Sequence, residues 1–398
     1  MAYTPKGSPE SAFSAFSAFS AFSAFSAFGG RGGAESPAQI EALITNRSGL
    51  VGAPLPHLPH GHQAAPSQPD TLRRLGTDVR AEIFMADLTS RVAFTTDLRG
   101  STPTASVWQT DLVTKSGKSE TTQPHVVMTP LLSLNLPKFD TFQEQIQFLL
   151  SYSVLRQDRA AEILTQLSPP FGFFASIGFM DPARTPYTVE LLSLAGQFAT
   201  LLAMKLKFAL SAKRPIELSP QVQPMVATPP HGTLPSGHAA EAFLMARLLW
   251  KLMRASKAPQ YEDPVWGEML MRQAARIAIN RTVAGVHFPV DSVAGCILGL
   301  TLAEFMAERS IPSKAQRTKA VFEGTNYGGS DDFDWHKIYD AKNDAMHTHA
   351  GQKGKRWMTS GCQDASPLAA DAPALAWLWN KAVAEWADLP LDLPAARV

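Results

Sequence analysis

Apolar residues recur at three- and four-residue spacing over much of the chain between residues 71 and 310. This periodicity is typical of helices that bury one face. It predicts helices over Leu72–Thr89, Thr141–Tyr152, Arg159–Leu167, Tyr187–Ser211, Ser236–Ala255, Trp266–Thr282 and Pro289–Arg309. Because Tyr187–Ser211 is apolar on nearly all sides, we expect that helix to lie inside a bundle.

Signals for β-strands are sparse along the chain. Val126–Leu136 has β character and predicts a short extended segment, whereas the polar stretch Asp97–Gln123 is expected to be irregular. We therefore predict a mainly α protein with one helical core domain over residues 71–310.

The two ends of the chain differ from this core in composition. Residues 11–28 are six Ser-Ala-Phe triplets, and prolines follow up to residue 70, so we predict a low-complexity arm and linker over 1–70. An alternative is that the exposed phenylalanines dock on a neighbouring subunit. Over 311–398 we predict a C-terminal extension with one Trp-rich amphipathic helix, Pro373–Ala387, whose apolar stripe packs on the body or on a second subunit.

The charge balance excludes some classes of partner. The chain has 36 basic and 35 acidic residues, a net charge of +1, so nothing indicates binding to nucleic acid. Polar residues such as Lys205 and Glu304 interrupt the most apolar stretches, and no typical secretory signal begins the chain. We therefore predict no membrane-spanning segment and a cytoplasmic protein.

Three short clusters of polar residues occur where predicted helices begin or end. They are Lys207 with Arg214-Pro215, then Pro235-Ser236-Gly237-His238, and then Arg281, His287 and Asp291. Each cluster alone has a structural explanation, such as a helix cap or a charge that complements the helix dipole. Together they supply three cations, N–H donors at a helix start and two histidines, which is what a buried tetrahedral oxyanion requires.

The spacing of these clusters resembles the signature of a known superfamily. The pattern Lys207-x6-Arg214-Pro215, Pro235-Ser236-Gly237-His238 and Arg281-x5-His287-x3-Asp291 is similar to that of type 2 phosphatidic acid phosphatases, class A acid phosphatases and vanadium-dependent haloperoxidases. The resemblance covers residues 207–291 and implies the helical bundle of that superfamily. One departure is Asn280, where the family usually has serine.

The resemblance also implies roles for the residues of the motif. The oxygens of phosphate or vanadate would be held by Lys207, Arg214, Ser236, Gly237 and Arg281. His287 would bond the central atom, which is vanadium in a haloperoxidase and phosphorus in a phosphatase. His238 would be the acid–base residue on the opposite side, and Asp291 would orient His287.

Among the activities of this superfamily, we favour a vanadium-dependent haloperoxidase with vanadate as its cofactor. It would use hydrogen peroxide to oxidise a halide, bromide or iodide, and the product would halogenate a small organic acceptor. The predicted lack of a spanning helix disfavours a lipid phosphatase. His231 lies seven residues before His238, a spacing that resembles the bromide-oxidising enzymes, although a histidine in a solvated loop is the alternative.

Other hypotheses remain open from the sequence. Met204 stands where several family members place a tryptophan near the halide, which weakens the haloperoxidase hypothesis. The first alternative is a soluble phosphatase that forms a phosphohistidine on His287. The second is a non-catalytic, oxyanion-binding assembly protein. Whatever its activity, we expect the chain to form a homo-oligomer.

Overall fold

The computed structural model describes residues 37–52, 54, 68–98, 100, 102–113, 125–311, 316–364 and 372–387. The Ser-Ala-Phe repeat lies outside these residues. The helices are α1 Pro37–Leu50, α2 Thr77–Thr89, α3 Phe139–Tyr152, α4 Arg156–Thr165, α5 Phe171–Gly178, α6 Pro186–Leu210, α7 Pro215–Leu218, α8 Gly237–Ala255, α9 Val265–Val283, α10 Pro289–Ser310 and α11 Pro373–Ala387. The strands are β1 Val92–Asp97, β2 Thr104–Val113, β3 His125–Asn135, β4 Gln316–Glu323, β5 Tyr339–Asp340, β6 Ala345–Met346, β7 His349–Gln352 and β8 Lys355–Asp364.

The prediction of a mainly α fold is confirmed, and α3, α6, α8, α9, α10 and α11 begin and end close to the predicted residues. Three of the described helices were not predicted: α5, which directly follows Pro169-Pro170, the short α7, and α1, which lies inside the predicted linker. The helix predicted over Leu72–Thr89 is divided by Gly76 into a 3₁₀ turn, Pro69–Arg74, and α2. The helix is interrupted at Gly76 because glycine has a low helix propensity.

A six-stranded sheet, in the order β1-β2-β3-β4-β8-β7, is the main difference from the prediction. The prediction that Asp97–Gln123 is irregular is wrong for Thr104–Val113, which pairs with strands on both sides. The buried face of β2 carries Gln109 and Asp111, so the alternation of apolar and polar residues that marks a strand is lost. Both side chains are buried because Arg309 of α10 donates hydrogen bonds to them.

This sheet includes strands from both sides of residue 310. Strand β3 pairs in parallel with β4, and β4 pairs antiparallel with β8, so the stretch after residue 310 continues the sheet that begins at Val92. Helix α11 packs against α6, α8 and α10. Its stripe docks on the body as expected, because Leu375, Trp379 and Trp386 are all buried.

Trp386 joins α11 to the start of α6, and its replacement tests how much this docking stabilises the fold. Its indole is fully buried, makes an edge contact with Tyr261 and donates a hydrogen bond of 2.9 Å to Thr188 Oγ1. We expect Trp386→Ala to lower the free energy of unfolding by about 3–5 kcal/mol, as for other buried aromatic truncations. Urea unfolding measures this loss. The control is Trp386→Phe, which keeps a ring and is expected to lose less stability. Equal losses in the two variants would contradict the packing argument.

Helix α8 lies at the centre of the bundle, in backbone contact with α10. A Cβ atom at Gly295 would lie 2.5 Å from Ser236 O, and one at Gly299 would lie 2.3 Å from Ala240 O. Only glycine allows this approach, which brings the start of α8 beside the start of α10. The backbone N–H of Ser236 donates to Asp291 O at 2.9 Å and fastens the two helix starts together.

Two apolar segments, Pro186–Leu218 and Pro289–Ser310, are long and apolar enough to cross a membrane by length and composition. Of their most apolar stretches, 67% and 94% are buried inside the protein. Core helices of a bundle have the same property, so these two segments do not by themselves distinguish a membrane protein from any other. The cytoplasmic location stays a prediction.

Candidate active site

A cavity of about 160 Å³ lies where the end of α6, the loop after it, the start of α8 and the α9–α10 turn meet. Seven of the nine predicted site residues line it: Lys207, Arg214, His231, Gly237, His238, Arg281 and His287. The other two, Ser236 and Asp291, are fully buried behind its wall. The structure therefore brings together residues that are as far as 84 positions apart in the chain.

Lys207 reaches the cavity from the last turn of α6 and is 2% exposed. Its ammonium group donates to the carbonyl oxygens of Gly232 and Thr233, at 3.0 and 2.9 Å. An ammonium group has three N–H donors, so one remains for an anion in the cavity. Lys207 thus both supports the loop before α8 and supplies positive charge.

Arg214 is held at the cavity by backbone and side-chain groups rather than by a carboxylate. Its Nη1 donates to Val286 O at 2.8 Å and lies 3.2 Å from His287 Nε2. Its Nη2 lies 3.0 Å from His231 Nδ1, and its Nε donates to His231 O at 2.9 Å. His231 is thus a half-buried residue that contacts the arginine and lines the cavity, and it does not lie in a fully solvated loop.

Arg281 is fully buried, and part of its guanidinium has no partner. Its Nη2 donates to Gln166 Oε1 at 2.9 Å and to Ile163 O at 3.2 Å. Its Nε and Nη1 have no hydrogen-bond partner within the described part of the chain. Buried N–H groups without partners are costly, so their presence beside a cavity indicates a site shaped for an acceptor that arrives from outside.

His287 follows the α9–α10 turn, and its ring is oriented by Asp291. The ring Nδ1 lies 3.1 Å from Asp291 Oδ2, which also accepts from Thr233 Oγ1 and from the backbone N–H of Phe288. A carboxylate at Nδ1 favours the tautomer with the proton on Nδ1, so the lone pair of Nε2 is the one that accepts from Arg214 Nη1 at the cavity wall. This is the arrangement that a nucleophilic imidazole requires.

His238 lies in the first turn of α8, directly after Ser236 and Gly237. The hydroxyl of Ser236 accepts a hydrogen bond of 3.4 Å from Ala239 N and caps the helix. The hydroxyl proton of Ser236 is not used by that bond. The backbone N–H groups at this helix start and its dipole favour an anion in front of His238.

The pKa values at the site report an excess of positive charge in a buried place. Burial lowers the pKa of both Arg214 and Arg281 to about 10 and that of Lys207 well below its ordinary value. Burial, and then Arg281 and Lys207, lowers the pKa of His238 to about 3. Burial and Arg214 lower the pKa of His287 well below its ordinary value, so both rings are neutral while the cavity holds no anion.

Three neighbours of the site were missed by the sequence analysis. Gln166 accepts a hydrogen bond from Arg281, and Thr233 donates one to Asp291. The third neighbour, Glu241, lines the cavity. Asn280, the departure from the family pattern, donates to Gln166 Oε1 at 3.0 Å and to Glu162 Oε1 at 2.9 Å. It therefore helps to hold the residue that orients Arg281. Its position immediately before Arg281 was the one available signal.

The fold and the cavity define a helical protein with a cage of lysine, arginine and histidine side chains around one small cavity. Residues 188–309 match the sequence model of the PAP2 superfamily, so the chain carries a PAP2 superfamily domain, a domain shared by phosphatases and vanadium haloperoxidases. A solved structure that it resembles is a transmembrane PAP2 type phosphatidylglycerolphosphate phosphatase from Bacillus subtilis. The two are 19% identical, with a TM-score of 0.33 over 44% of this chain and 90% of that one. No curated protein matches the chain.

Proposed function

We propose that the protein is a phosphatase that hydrolyses phosphomonoesters through a phosphohistidine on His287. The observation that carries this proposal is the unpartnered pair of N–H groups on Arg281, in a cavity that Lys207 and Arg214 also line. A phosphoryl group has oxygens for all three cations, and the neutral ring of His287 faces the same space. The site therefore has positive charge, fixed donors and a nucleophile around one small volume.

In the first step, the lone pair of His287 Nε2 forms a bond to phosphorus while the P–O bond to the alcohol breaks. Asp291 retains its hydrogen bond to Nδ1–H and stabilises the positive charge that develops on the ring. Arg214, Arg281 and Lys207 neutralise the charge on the phosphoryl oxygens, which is the largest electrostatic requirement of phosphoryl transfer.

His238 acts as the general acid in the first step and as the general base in the second. A bound phosphate offsets the positive charge of Arg281 and Lys207, so the pKa of His238 rises on binding and the ring can carry a proton. It gives that proton to the leaving alcohol oxygen. In the second step it takes a proton from water, whose oxygen bonds to phosphorus as the P–N bond to His287 breaks, which releases inorganic phosphate.

A haloperoxidase is the second candidate, because the same cage fits vanadate. In addition, His231, which lies seven residues before His238 in the sequence, contacts Arg214 through Nδ1. The unpartnered N–H groups of Arg281 suit vanadate oxygens as well as phosphate oxygens. Vanadate would be held by Lys207, Arg214, Ser236, Gly237, Arg281 and His287, and when bound it would supply a Lewis acid.

The need for a second anion favours the phosphatase. A halide must approach the site while the oxyanion already occupies the three cations. Among the described residues that line the cavity, there is no further lysine or arginine, and the remaining wall is mostly apolar, with Met204, Leu167 and Val226 among its members.

A paired assay tests this proposal. The purified protein is given an aryl phosphate without vanadate and, in a second arm, orthovanadate, hydrogen peroxide, bromide and a β-diketone. We expect hydrolysis in the first arm, competitive inhibition of it by orthovanadate, and a base-stable, acid-labile phosphate label on the enzyme. Vanadate-dependent bromination without hydrolysis would overturn the proposal in favour of the second candidate. The variant His336→Gln, which changes an exposed histidine, is expected to behave like the wild type in both arms and serves as a control for histidine replacement.

A further inference from the structure

Glu241 lies at the oxyanion cavity but has no part in the mechanism described above. It stands one helical turn after His238 on α8, and Gly237 is close to its carboxyl group: a Cβ atom at Gly237 would lie 4.0 Å from Glu241 Oε1. Of the described residues that line the cavity, it is the only one with a carboxyl group. No ion pair within 4 Å joins it to a described lysine or arginine, so its charge is not neutralised by a close partner.

The hydrogen bonds around Glu241 suit both of its protonation states. Thr200 Oγ1 lies 2.8 Å from Glu241 Oε1 and 3.0 Å from Gly196 O, but a hydroxyl has one proton for these two acceptors. When Glu241 is ionised, Thr200 donates to it. When Glu241 is protonated, it donates to Thr200, which then donates to Gly196 O. A proton can therefore enter or leave without movement of the chain.

In the described part of the chain, the other titratable groups that line the cavity with Glu241 are one lysine, two arginines and three histidines. They are Lys207 of α6, Arg214 of the following loop, His231, His238 of its own helix, Arg281 of α9 and His287. Burial raises the pKa of the carboxyl group to about 7, while Thr200 and Lys207 act in the opposite direction. Ionised Glu241 thus removes one unit of positive charge from the cage near neutral pH.

We propose that Glu241 is a specificity-determining residue that selects the charge state of the tetrahedral oxyanion: with its carboxyl group protonated the cage accepts a dianion, and with it ionised the cage rejects one. The physical reason is the repulsion between a carboxylate and a dianion that share one buried cavity. This inference rests on the proposed function only in taking the oxyanion to be the phosphoryl group of the substrate.

The sign of the pH dependence follows from the raised pKa. Below pH 7 the carboxyl group is protonated in the free protein, and a dianion binds at full affinity. Above pH 7, binding requires the uptake of one proton, so affinity falls by about tenfold for each pH unit. Burial also lowers the pKa of Lys207, and only a comparison of variants separates its effect from that of Glu241.

Sulfate is the probe that tests this inference, because it is tetrahedral and stays a dianion between pH 6 and 9. Its dissociation constant is measured by calorimetry for the wild type and for Glu241→Gln, which keeps a donor to Thr200 but cannot ionise. We expect the ratio of the two constants to be near 1 at pH 6 and to rise to about 30 at pH 8.5, with the wild type the weaker binder. The histidines are common to both proteins. Loss of the Glu241 charge lowers the pKa of Lys207 further, which weakens sulfate binding by the variant and so acts against the expected rise.

Two further variants complete the test. Glu241→Asp still titrates, so we expect its ratio to Glu241→Gln to rise with pH as that of the wild type does. Glu268→Gln removes a partly exposed carboxylate of α9 that does not line the cavity, and this variant is expected to match the wild type. A ratio that stays constant with pH, or a Glu241→Asp variant that behaves like Glu241→Gln, would overturn the inference. Sulfate is not turned over, so the binding test does not depend on catalysis. If the ratio rises with pH but the protein hydrolyses no phosphomonoester, the proposed function is wrong and the inference about Glu241 still holds.

Discussion

Replacing His287 with asparagine is expected to lower kcat for aryl phosphate hydrolysis by at least about 10³-fold, as for other catalytic nucleophiles. The asparagine amide can still donate to Asp291 Oδ2, where His287 Nδ1 now lies at 3.1 Å, so the buried carboxylate keeps a partner. No atom then replaces Nε2, and no phosphoenzyme can form. Initial rates together with labelling by radioactive aryl phosphate measure both losses.

The control for this variant separates chemistry from binding. Sulfate affinity is expected to change by less than about tenfold, because the three cations of the cage remain, whereas hydrolysis and the label disappear. Retention of more than a tenth of the wild-type kcat by His287→Asn would show that another residue is the nucleophile, and the proposed mechanism would be wrong.

Replacing Arg281 with methionine is expected to have opposite effects on function and stability. It removes one of the three cations that line the cavity, so kcat/KM should fall by about 10²–10³-fold. It also removes a buried cation whose Nε and Nη1 have no partner, so the cost of burying that charge and those two N–H groups is no longer incurred. We therefore expect a higher unfolding temperature for the anion-free variant than for the wild type.

Inorganic phosphate provides the second half of this comparison. At a concentration 100 times its dissociation constant, a ligand stabilises the native state by about 2.7 kcal/mol, so phosphate should raise the unfolding temperature of the wild type. The same concentration should have little effect on Arg281→Met. Arg281→Lys keeps the charge and is expected to lie between the two. If Arg281→Met unfolded at a lower temperature than the anion-free wild type, Arg281 would be a structural residue and not a group held ready for an anion.

The helices and most of the cage were predictable because their signals are local. Apolar periodicity predicts α6, α8 and α10, and a serine before a helix start predicts the cap that Ser236 provides. The clusters that contain Lys207 and Arg281 lie at helix ends, where short stretches of sequence already specify a charge and a turn. Their convergence followed from the chemistry of a buried oxyanion rather than from any long-range signal.

The features that were missed depend on contacts between distant residues. Strand β2 was not predicted because Asp111, on its buried face, is paired with Arg309, which lies 198 positions later. Glu241 and Gln166 resemble ordinary polar residues on the exposed faces of helices. Only the packing of α6 against α8, and of α4 against α9, turns these side chains toward the cavity and toward Arg281.

The glycines at 295 and 299 have a consequence for the range of substrates that the cavity can accept. Since peptide groups rather than side chains form that part of the α8–α10 contact, rotamer changes there cannot alter the spacing between the turn of His238 and the turn of His287. Other parts of the cavity wall consist of side chains such as Leu167 and Met204, whose rotamers can change. Leaving groups of different shapes can therefore deform the mouth of the cavity while the reacting atoms keep their alignment.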